Sequence, residues 1–221
     1  MTDTLQAISR SLSDDVKVLA TISHNVANLN TPGYRGVRAV PSFDAQLQTV
    51  TTQADGALSQ TARPLDLSLR GNGFFVVERD GTLLLVRSGA FRIDHEGQLV
   101  TASGDRVQGA SGAIEMTSAD VRVDANGDIW QGLQRVDQLQ LVTAADPALL
   151  RPMDGGAYRY EGALAPWTGT VVQGALERAN VDTAEETIRL METTRHAESV
   201  QRAISIYDKA MDIGINRLGD N

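Results

Sequence analysis

An apolar repeat at the N-terminal end of the chain places the strongest limit on its fold. Apolar side chains recur there at alternating steps of three and four residues, and they form the N-terminal stripe: Leu5, Ile8, Leu12, Leu19, Ile22, Val26 and Leu29. An average spacing of 3.5 residues aligns them along one side of a helix, as in a coiled coil. Asp15 occupies one stripe position, and we expect it to face water or a polar groove. An amphipathic helix lying on its own domain is the alternative interpretation.

The C-terminal end carries a similar repeat. Asn180 or Asp182 can cap the start of a helix, with Glu185 and Glu186 in its first turn, and no proline follows before Arg217. The apolar positions form the C-terminal stripe: Ala197, Val200, Ile204, Tyr207, Met211, Gly214 and Leu218. A second row beside it contains Val181, Ala184, Ile188 and Met191. Isolated helices of this kind are marginal in water, so we expect the stripes to pack on each other or on other copies.

The middle of the chain has a different pattern, with short runs of strand-forming residues between turn signals. The runs cover residues 74–78, 82–87, 91–94, 98–101, 121–124, 136–143 and 170–173. The turn signals are Asp80-Gly81, Glu96-Gly97, Ser103-Gly104 and Asn126-Gly127. The prediction is an α+β fold: an antiparallel all-β central domain flanked by long N- and C-terminal helices that pair as a coiled-coil-like terminal domain.

The pattern divides the chain into four segments. Residues 1–35 form the N-terminal helix and an asparagine-rich turn, and residues 36–64 form an extended connector. Residues 65–178 form the central β domain, and residues 179–221 form the C-terminal helix, the other half of the terminal helical domain.

The segment "ISHNVANLNTPGYRG", residues 22–36, marks the end of the first helix. Pro32 disfavours helical backbone in the residue before it, and the Pro32-Gly33 pair predicts a type II turn over Thr31 to Tyr34. The side chains of Asn25, Asn28 and Asn30 are placed to bond the last free carbonyls of the helix.

Charge and composition argue against several partners. Twenty Lys and Arg against 28 Asp and Glu give a net charge of −8, which disfavours nucleic acids and anionic membrane surfaces. No run of 18 apolar residues is present, so no membrane insertion is expected. The first residues carry acids and lack a basic region before an apolar run, so no cleaved signal peptide is expected. Cysteine is absent, which excludes disulfides and thiol chemistry.

The sequence shows no catalytic or ligand-binding constellation. His24, His95 and His196 lie in three separate regions without the spacing of metal ligands. "GNGFF" lacks the third glycine of a dinucleotide fingerprint, and "DANGD" lacks the glycine and glutamate of a calcium loop. We therefore expect no enzyme, no cofactor and no metal. A structural assembly subunit is favoured over a free-standing β-domain adhesin or binding module with helical tails, and over an enzyme with an unrecognised site.

The same residues resemble those of flagellar rod, hook and hook-associated axial proteins, whose N-terminal motif is roughly Asn-Asn-x-Ala-Asn-x-Asn-Thr-x-Gly-Tyr-Lys. The matching positions are Asn25, Ala27, Asn28, Asn30, Thr31, Gly33 and Tyr34, followed by Phe43. His24 replaces the first asparagine, and Arg35 replaces the lysine. "ALSQTARPLDLSLRGNGFFVV" and "RSGAFRIDHEGQLVTASGDRVQG" resemble the central β region of that family, and residues 174–219 resemble its C-terminal domain.

The resemblance implies a structural subunit of the periplasmic rod of the flagellar basal body. Its partners would be other rod proteins, copies of itself and, during secretion, the flagellar export apparatus. The terminal helices would line an export channel, and the asparagine-rich corner would be a joint, with Tyr34 and Phe43 as packing anchors. The chain is shorter than a typical hook protein, and "TARPLDLSL" favours the proximal rod class, with a distal rod or hook-family protein as the alternative.

Overall fold

The computed structural model describes residues 2–41, 47–118 and 120–219. Two long helices, α1 and α2, form the two ends of the chain, and the strands lie between them in sequence. The elements in chain order are α1 Thr2–Ala27, β1 Val37–Pro41, β2 Leu47–Thr51, β3 Leu58–Gln60, β4 Leu67–Arg70, β5 Phe74–Arg79, β6 Thr82–Val86, β7 Arg92–Ile93, β8 Leu99–Val100, β9 Arg106–Gly109, β10 Gly112–Ala113, β11 Arg122–Val123, β12 Asp128–Gln131, β13 Gln134–Gln138, β14 Leu141–Ala144, β15 Leu150–Pro152, β16 Ala157–Tyr160, β17 Leu164–Pro166, β18 Thr170–Gln173, β19 Ala175–Glu177 and α2 Thr183–Gly219. The α+β class with a central β region is therefore confirmed.

The described residues separate into two compact units. The helical unit contains residues 2–26, 37–41, 47–50 and 182–219. The β body contains residues 27–36, 51–118 and 120–181. Each unit is described by itself below.

Strand β5 is the centre of the β body. Its largest sheet has the order β15-β16-β6-β5-β9-β8-β7, and β5 also pairs with β14. Side chains alternate between the faces of a strand, so Phe75 and Val77 enter one buried cluster while Phe74 and Val76 enter another. The run "FFVV" is apolar throughout because both faces of β5 are covered.

Turn residues divide the body into antiparallel pairs, as the sequence indicates. The β5–β6 hairpin turns at Asp80 and Gly81, which have φ of 50° and 76°. The segment expected as one strand over residues 136–143 is instead the end of β13 and the start of β14. The chain changes sheets there: β13 pairs with β12, and β14 pairs with β5 and β17.

The described part of residues 36–64 contains three short strands where the sequence suggested an extended connector with little pattern. Strands β1 and β2 pair with each other, and β3 pairs with β19 through Gln60 and Ala175. A strand of three residues whose partner lies more than 100 residues away leaves no local periodicity to detect.

The two helix boundaries follow from their flanking residues. The Asp182 carboxylate accepts hydrogen bonds from the N–H groups of Ala184 (2.8 Å) and Glu185 (3.4 Å), so Asp182 is the N-cap of α2. Helix α1 ends at Ala27, two residues before the last stripe position.

An ion pair between the half-buried Arg79 and the buried Asp105 in the β body generates a prediction on acid stability. Arg79 donates from Nε and Nη2 to the two carboxylate oxygens of Asp105, at 2.6 and 2.8 Å. These bonds lower the pKa of Asp105 below its ordinary value, with a smaller contribution from Thr101. A carboxyl whose pKa is lower in the folded state stabilises the fold above its unfolded pKa, and this contribution is lost as the pH falls.

We expect Asp105→Asn to lower the free energy of unfolding at pH 7. Because the parent loses the contribution of the charged pair on acidification, the difference should shrink below about pH 4, near the unfolded pKa of an aspartate. Urea denaturation between pH 3 and 7 measures this, with the exposed Asp120→Asn as the control. A difference that stays constant over this range would contradict the assignment.

Candidate functional site

The chain leaves α1 through a tight turn over Thr31 to Tyr34. The N–H of Tyr34 donates to the carbonyl of Thr31 at 3.2 Å, and Gly33 has a φ of 67°. A positive φ at the third residue, after proline at the second, is the mark of a type II turn, as predicted. The Thr31 hydroxyl and N–H bond the side chain and the carbonyl of Asn28, at 3.2 and 3.0 Å. Asn28, just before the turn, therefore fixes the first turn residue, Thr31, by two hydrogen bonds.

Gly33 also passes directly against the backbone that follows β6. A Cβ at this position would lie 2.6 Å from the nitrogen of Ser88 and 2.7 Å from the carbonyl carbon of Arg87. The N–H of Gly33 donates to the carbonyl of Glu177 at 2.7 Å. Glycine is thus required here both for the left-handed backbone and for the close approach.

Residues 34–36 run between two segments that are distant in sequence. The N–H of Asn180 donates to the carbonyl of Tyr34 at 3.2 Å, and the Asn180 side chain accepts from the N–H of Gly36 at 2.7 Å. The N–H of Thr52 donates to the carbonyl of Gly36 at 2.7 Å. The side-chain nitrogen of Asn180 donates to the carbonyl of Ala54 at 2.7 Å. The sequence suggests Asn180 as a helix cap, but its side chain instead joins Gly36 to Ala54 by hydrogen bonds.

Arg35 is fully buried beneath the turn. Its Nη1 donates to the backbone and side-chain oxygens of Gln53, at 3.0 and 2.8 Å, and its Nη2 donates to Asp55 at 3.3 Å. Its guanidinium lies 5.6 Å from the centre of the Phe74 ring, within range of a cation–π contact. Burial, and then the nearby charge of Arg87, lower the pKa of Arg35 from its ordinary value.

Arg87 is a second buried arginine at the same place, and its bonds join three separate segments. Its Nε donates to a carboxylate oxygen of Glu177, and its Nη1 donates to the carbonyls of Gly71 and Gly73, both at 2.6 Å. Its Nη2 donates to Asp55 at 3.1 Å and to the carbonyl of Leu69 at 2.8 Å.

The two carboxylates that bond these arginines also accept hydrogen bonds from backbone N–H groups. Glu177 accepts from the N–H of Gly56, and Asp55 accepts from the N–H of Gly71, both at 2.8 Å. The cluster of Arg35, Arg87, Asp55 and Glu177, called here the arginine cluster, balances two positive and two negative charges.

Sequence reasoning missed Arg87, Asp55 and Glu177, because no local signal connects residues so far apart in the chain. Arg35 had one signal, its place in the motif.

Asn25, in the helical unit, holds the start of β1. Its side-chain oxygen accepts from the N–H of Val37, and its nitrogen donates to the Val37 carbonyl, both at 2.8 Å. The same nitrogen donates to Glu186 of α2 at 3.1 Å. We expected Asn25 to bond the last carbonyls of α1, whereas these contacts connect it with a strand and with the other helix.

Asp15 lies in the contact between the two helices. Of the two surroundings expected for Asp15, water is wrong, because the residue is only 8% exposed. Its surroundings are polar, since both carboxylate oxygens lie 2.9 Å from Nδ1 of His196. The Asp15–His196 and Asn25–Glu186 contacts are ten residues apart along each helix, in opposite order. Helices α1 and α2 therefore run antiparallel to each other in the helical unit.

The predicted stripe residues divide by exposure. Ile22 is buried, whereas Leu12 and Val26 are 39% and 47% exposed. The half-buried members are Ile8, Leu19, Leu29, Ala197, Val200, Ile204 and Tyr207. Among the motif residues, Gly33 and Tyr34 are buried, Asn28 and Thr31 are half-buried, and Asn30 is exposed. Phe43, and the side chains of Leu5, Met211, Gly214 and Leu218, lie outside the described residues.

Within the described ranges, no three His, Asp or Glu side chains are grouped closely enough to hold a metal ion. The helices described in these ranges lack the combination of length and apolar composition that a membrane-spanning helix needs.

Comparisons with known proteins connect this geometry to one family. The family described as flagella basal body rod protein matches residues 9–35, which include the turn. The flagellar hook protein FlgE/F/G D1 domain matches residues 68–131, and the flagellar basal body rod FlgEFG protein C-terminal family matches residues 172–218. The rod protein FlgF of Salmonella typhimurium is 31% identical to the chain, over 86% of the chain and 88% of the relative.

The chain belongs to the flagellar basal-body rod protein family. FlgF of Escherichia coli is 30% identical over 86% of the chain and 87% of the relative. FlgG of Buchnera aphidicola from Acyrthosiphon pisum is 27% identical over 86% of the chain and 90% of the relative. With this identity, the chain is a FlgF-like rod protein, and its matched regions contain Gly33, Arg35, Arg87 and Glu177.

We expect Gly33→Ala to destabilise this rod protein strongly. Left-handed backbone costs an alanine roughly 1 to 3 kcal/mol, and the contact with residues 87 and 88 adds to this. The matched control is Gly132→Ala, because Gly132 has a φ of 60° and open space around the added methyl group. Urea denaturation measures both, and equal losses would show that the close approach at Gly33 costs nothing.

Arg87→Met should lower the free energy of unfolding by about 3 to 5 kcal/mol, because it leaves the Glu177 carboxylate buried without its cation. The control is Arg135→Met, which removes a half-exposed pair with Asp128 and should cost about 1 kcal/mol or less. The same denaturation experiment measures both. A loss at Arg87 no larger than at Arg135 would mean that the arginine cluster does not stabilise the β body.

Proposed function

We propose that this chain is a structural, non-enzymatic subunit of the rod of the bacterial flagellar basal body, in the proximal rod class. The observation that carries the proposal is its alignment with rod proteins over 86% or more of its length, with both helical ends and the β region included. Its position is the periplasmic part of the basal body, and it reaches that position through the flagellar export apparatus.

The terminal helices pair in a coiled-coil-like manner in the proposed subunit. The antiparallel contacts Asp15–His196 and Asn25–Glu186 support this pairing, together with the half-buried residues of both stripes. In this proposal residues 1–35 and 179–221 contain the pairing helices and residues 65–178 form the β domain, while residues 36–64, which contain β1, β2 and β3, connect them.

The exposed apolar residues of the helices are the surface through which the subunit contacts other rod proteins and copies of itself. On the described part of α1 these include Leu12, Val16 and Val26, and on α2 they include Ile188 and Met191. Large apolar side chains that stay exposed along a helix are typical of a face that is covered in an assembly. The exposed stripe members Leu12 and Val26 belong to this assembly interface, whereas the buried Ile22 packs within the subunit.

The motif residues Asn25, Asn28, Asn30, Thr31, Gly33, Tyr34 and Phe43 form the joint of the subunit. Support comes from the turn held by Asn28, from the close approach at Gly33, and from Asn180, which bonds the residues on both sides of Arg35. A drive shaft that transmits torque requires a chain path that resists deformation, and a path fixed by buried bonds meets this requirement.

The proposed function is tested in cells of the source bacterium. Deletion of the gene should abolish motility, and a tagged copy that restores motility should be present in purified basal bodies. Normal motility after deletion, or complete absence of the functional tagged protein from basal bodies, would contradict the proposal.

The stripe interface generates a separate prediction. Leu12→Asp should reduce incorporation into the rod while leaving the thermal unfolding of the monomer unchanged, because Leu12 is exposed and would have to bury a carboxylate in the assembly. Ser13→Asp places the same charge at the next exposed position and should assemble normally. Equal incorporation of both variants would show that Leu12 is not at an interface.

A further inference from the structure

A pocket of about 400 Å³ opens on the β body where the ends of several strands meet. Its lining includes Gly109 at the end of β9, the junction of β13 with β14, and Pro166 at the end of β17. Small-molecule sites in proteins commonly have volumes of about 300 to 1,000 Å³. The residues that line this pocket are separate from the arginine cluster, from the motif and from both helical stripes.

Three side-chain amides lie around the pocket: Asn126 from the turn before β12, Gln138 at the end of β13, and Gln140 shortly after it. Among the described residues, the side chains of Asn126 and Gln140 make no hydrogen bond. The Gln138 side chain makes a single long one, 3.4 Å from the carbonyl of Asn126. Each amide has both donors and an acceptor, so these side chains have groups available for a ligand.

Backbone hydrogen bonds fix the segment that carries two of these amides. The N–H of Ala110 donates to the carbonyl of Gln138 at 2.8 Å, and the N–H of Gln140 donates to the carbonyl of Gln108 at 3.0 Å. The carbonyl of Gln140 accepts from the N–H of Val76 at 3.2 Å. A site whose walls are already ordered in this way loses less entropy when a ligand binds.

An apolar wall completes the lining of the pocket. Strand β14 pairs with β17 through Val142 and Pro166, which places Leu141 and Trp167 side by side at the ends of these strands. Leu141, Pro166 and Trp167 all line the pocket. The pocket thus combines an indole and two aliphatic groups with free amides.

Two glycines determine where the indole of Trp167 lies. A Cβ at Gly73 would overlap the indole nitrogen, and a Cβ at Gly169 would overlap the six-membered ring. Trp167 is half-buried and packs against the largest buried cluster of the β body. Because the backbone beside it approaches so closely, the indole is a fixed surface of the pocket and not a mobile side chain.

The charges at the pocket limit the class of ligand that it can take. None of the lining residues is charged, and the Asp137 carboxylate lies against the Gly109 wall. In a chain of net charge −8, an anion would find acceptors and no cation in this lining. A fully apolar ligand would displace water from the amides without replacing its hydrogen bonds. The pocket therefore suits a neutral ligand that has many hydroxyl groups and an apolar face.

We propose that this pocket binds a carbohydrate. The C–H face of a sugar ring is flat and apolar, and it packs on the face of an aromatic ring such as that of Trp167. The hydroxyl groups at the edge of the same sugar ring both donate and accept hydrogen bonds, as the three amides do. A neutral peptide offers amide groups without a rigid ring that has hydroxyls along its edge, so it matches the lining less well. Carbohydrate binding is independent of the proposed structural function.

Trp167 provides a direct reporter of binding, because the chain has two tryptophans. In the full-length variant Trp130→Phe, Trp167 is the one that remains, and Trp130 lies outside the pocket lining. Chitotriose and maltotriose are titrated separately into this variant, with triglycine as the neutral peptide control. We expect at least one sugar to change the tryptophan emission saturably, with a Kd of about 1 mM or lower, and triglycine to leave it unchanged. Calorimetry on the parent chain checks the affinity.

A pair of glutamine variants tests whether the sugar lies in this pocket. Gln140→Ala should weaken binding about fivefold, the effect of one lost hydrogen bond, and should leave thermal unfolding unchanged because Gln140 is exposed. The matched control is Gln134→Ala, at an exposed glutamine of β13 outside the pocket lining, which should bind the sugar as the parent does.

Failure of both sugars to bind at concentrations up to about 10 mM would overturn the proposal. Equal affinities of Gln140→Ala and Gln134→Ala would also overturn it, and so would binding of triglycine as tight as that of the sugars. Sedimentation with purified bacterial cell walls distinguishes two sources of the carbohydrate: a chain that pellets with them binds a glycan polymer, and a sugar-binding chain that stays in solution takes a free oligosaccharide. These measurements do not involve basal bodies, so their failure would leave the proposed function unaffected.

Discussion

The guanidinium of Arg87 is the interaction on which the corner of the β body depends. It lies in the interior and bonds a carboxylate from residue 177, a carboxylate from residue 55 and three carbonyls between residues 69 and 73. A buried cation is tolerated only when such partners surround it, so these segments must come together before the charge can be enclosed. The backbone carbonyl of Glu177 accepts a hydrogen bond from the N–H of Gly33. The path of the motif therefore depends on a residue that the arginine cluster holds in place.

Arg35 shows why the last position of the motif is sensitive to geometry as well as to charge. Its two terminal nitrogens bond different residues, Gln53 and Asp55, and its flat surface lies over Phe74. A planar group with a fixed fork of donors makes these contacts together, whereas an ammonium is a point charge without a flat face. The cluster would therefore be arranged differently around a lysine, which is the residue that the family motif has at this position.

The parts of the structure that the sequence predicts are those with local causes. The Pro32-Gly33 turn, the Asp80-Gly81 hairpin and the long helices depend on residues within a few positions of each other, and all are present. The Arg87–Glu177 pair and strand β3 depend on partners 90 or more residues away, so no window of sequence contains their signal. For Asp15 the sequence predicts a position in the repeat and leaves water or a polar groove open, and it cannot identify the polar partner His196, which lies on the other helix.

In the helical unit, polar contacts fix the alignment of α1 with α2, while some apolar side chains of the repeat remain exposed. Asp15–His196 and Asn25–Glu186 are polar contacts where apolar residues would give more stability, yet each is satisfied in only one alignment of α1 with α2. A shift of one helix by a single turn would separate both pairs and leave the buried Asp15 and Asn25 without these partners. The polar pairs thus set the register within one chain. The apolar side chains of Leu12 and Val26 remain exposed, and in the proposed rod they are free to contact neighbouring subunits.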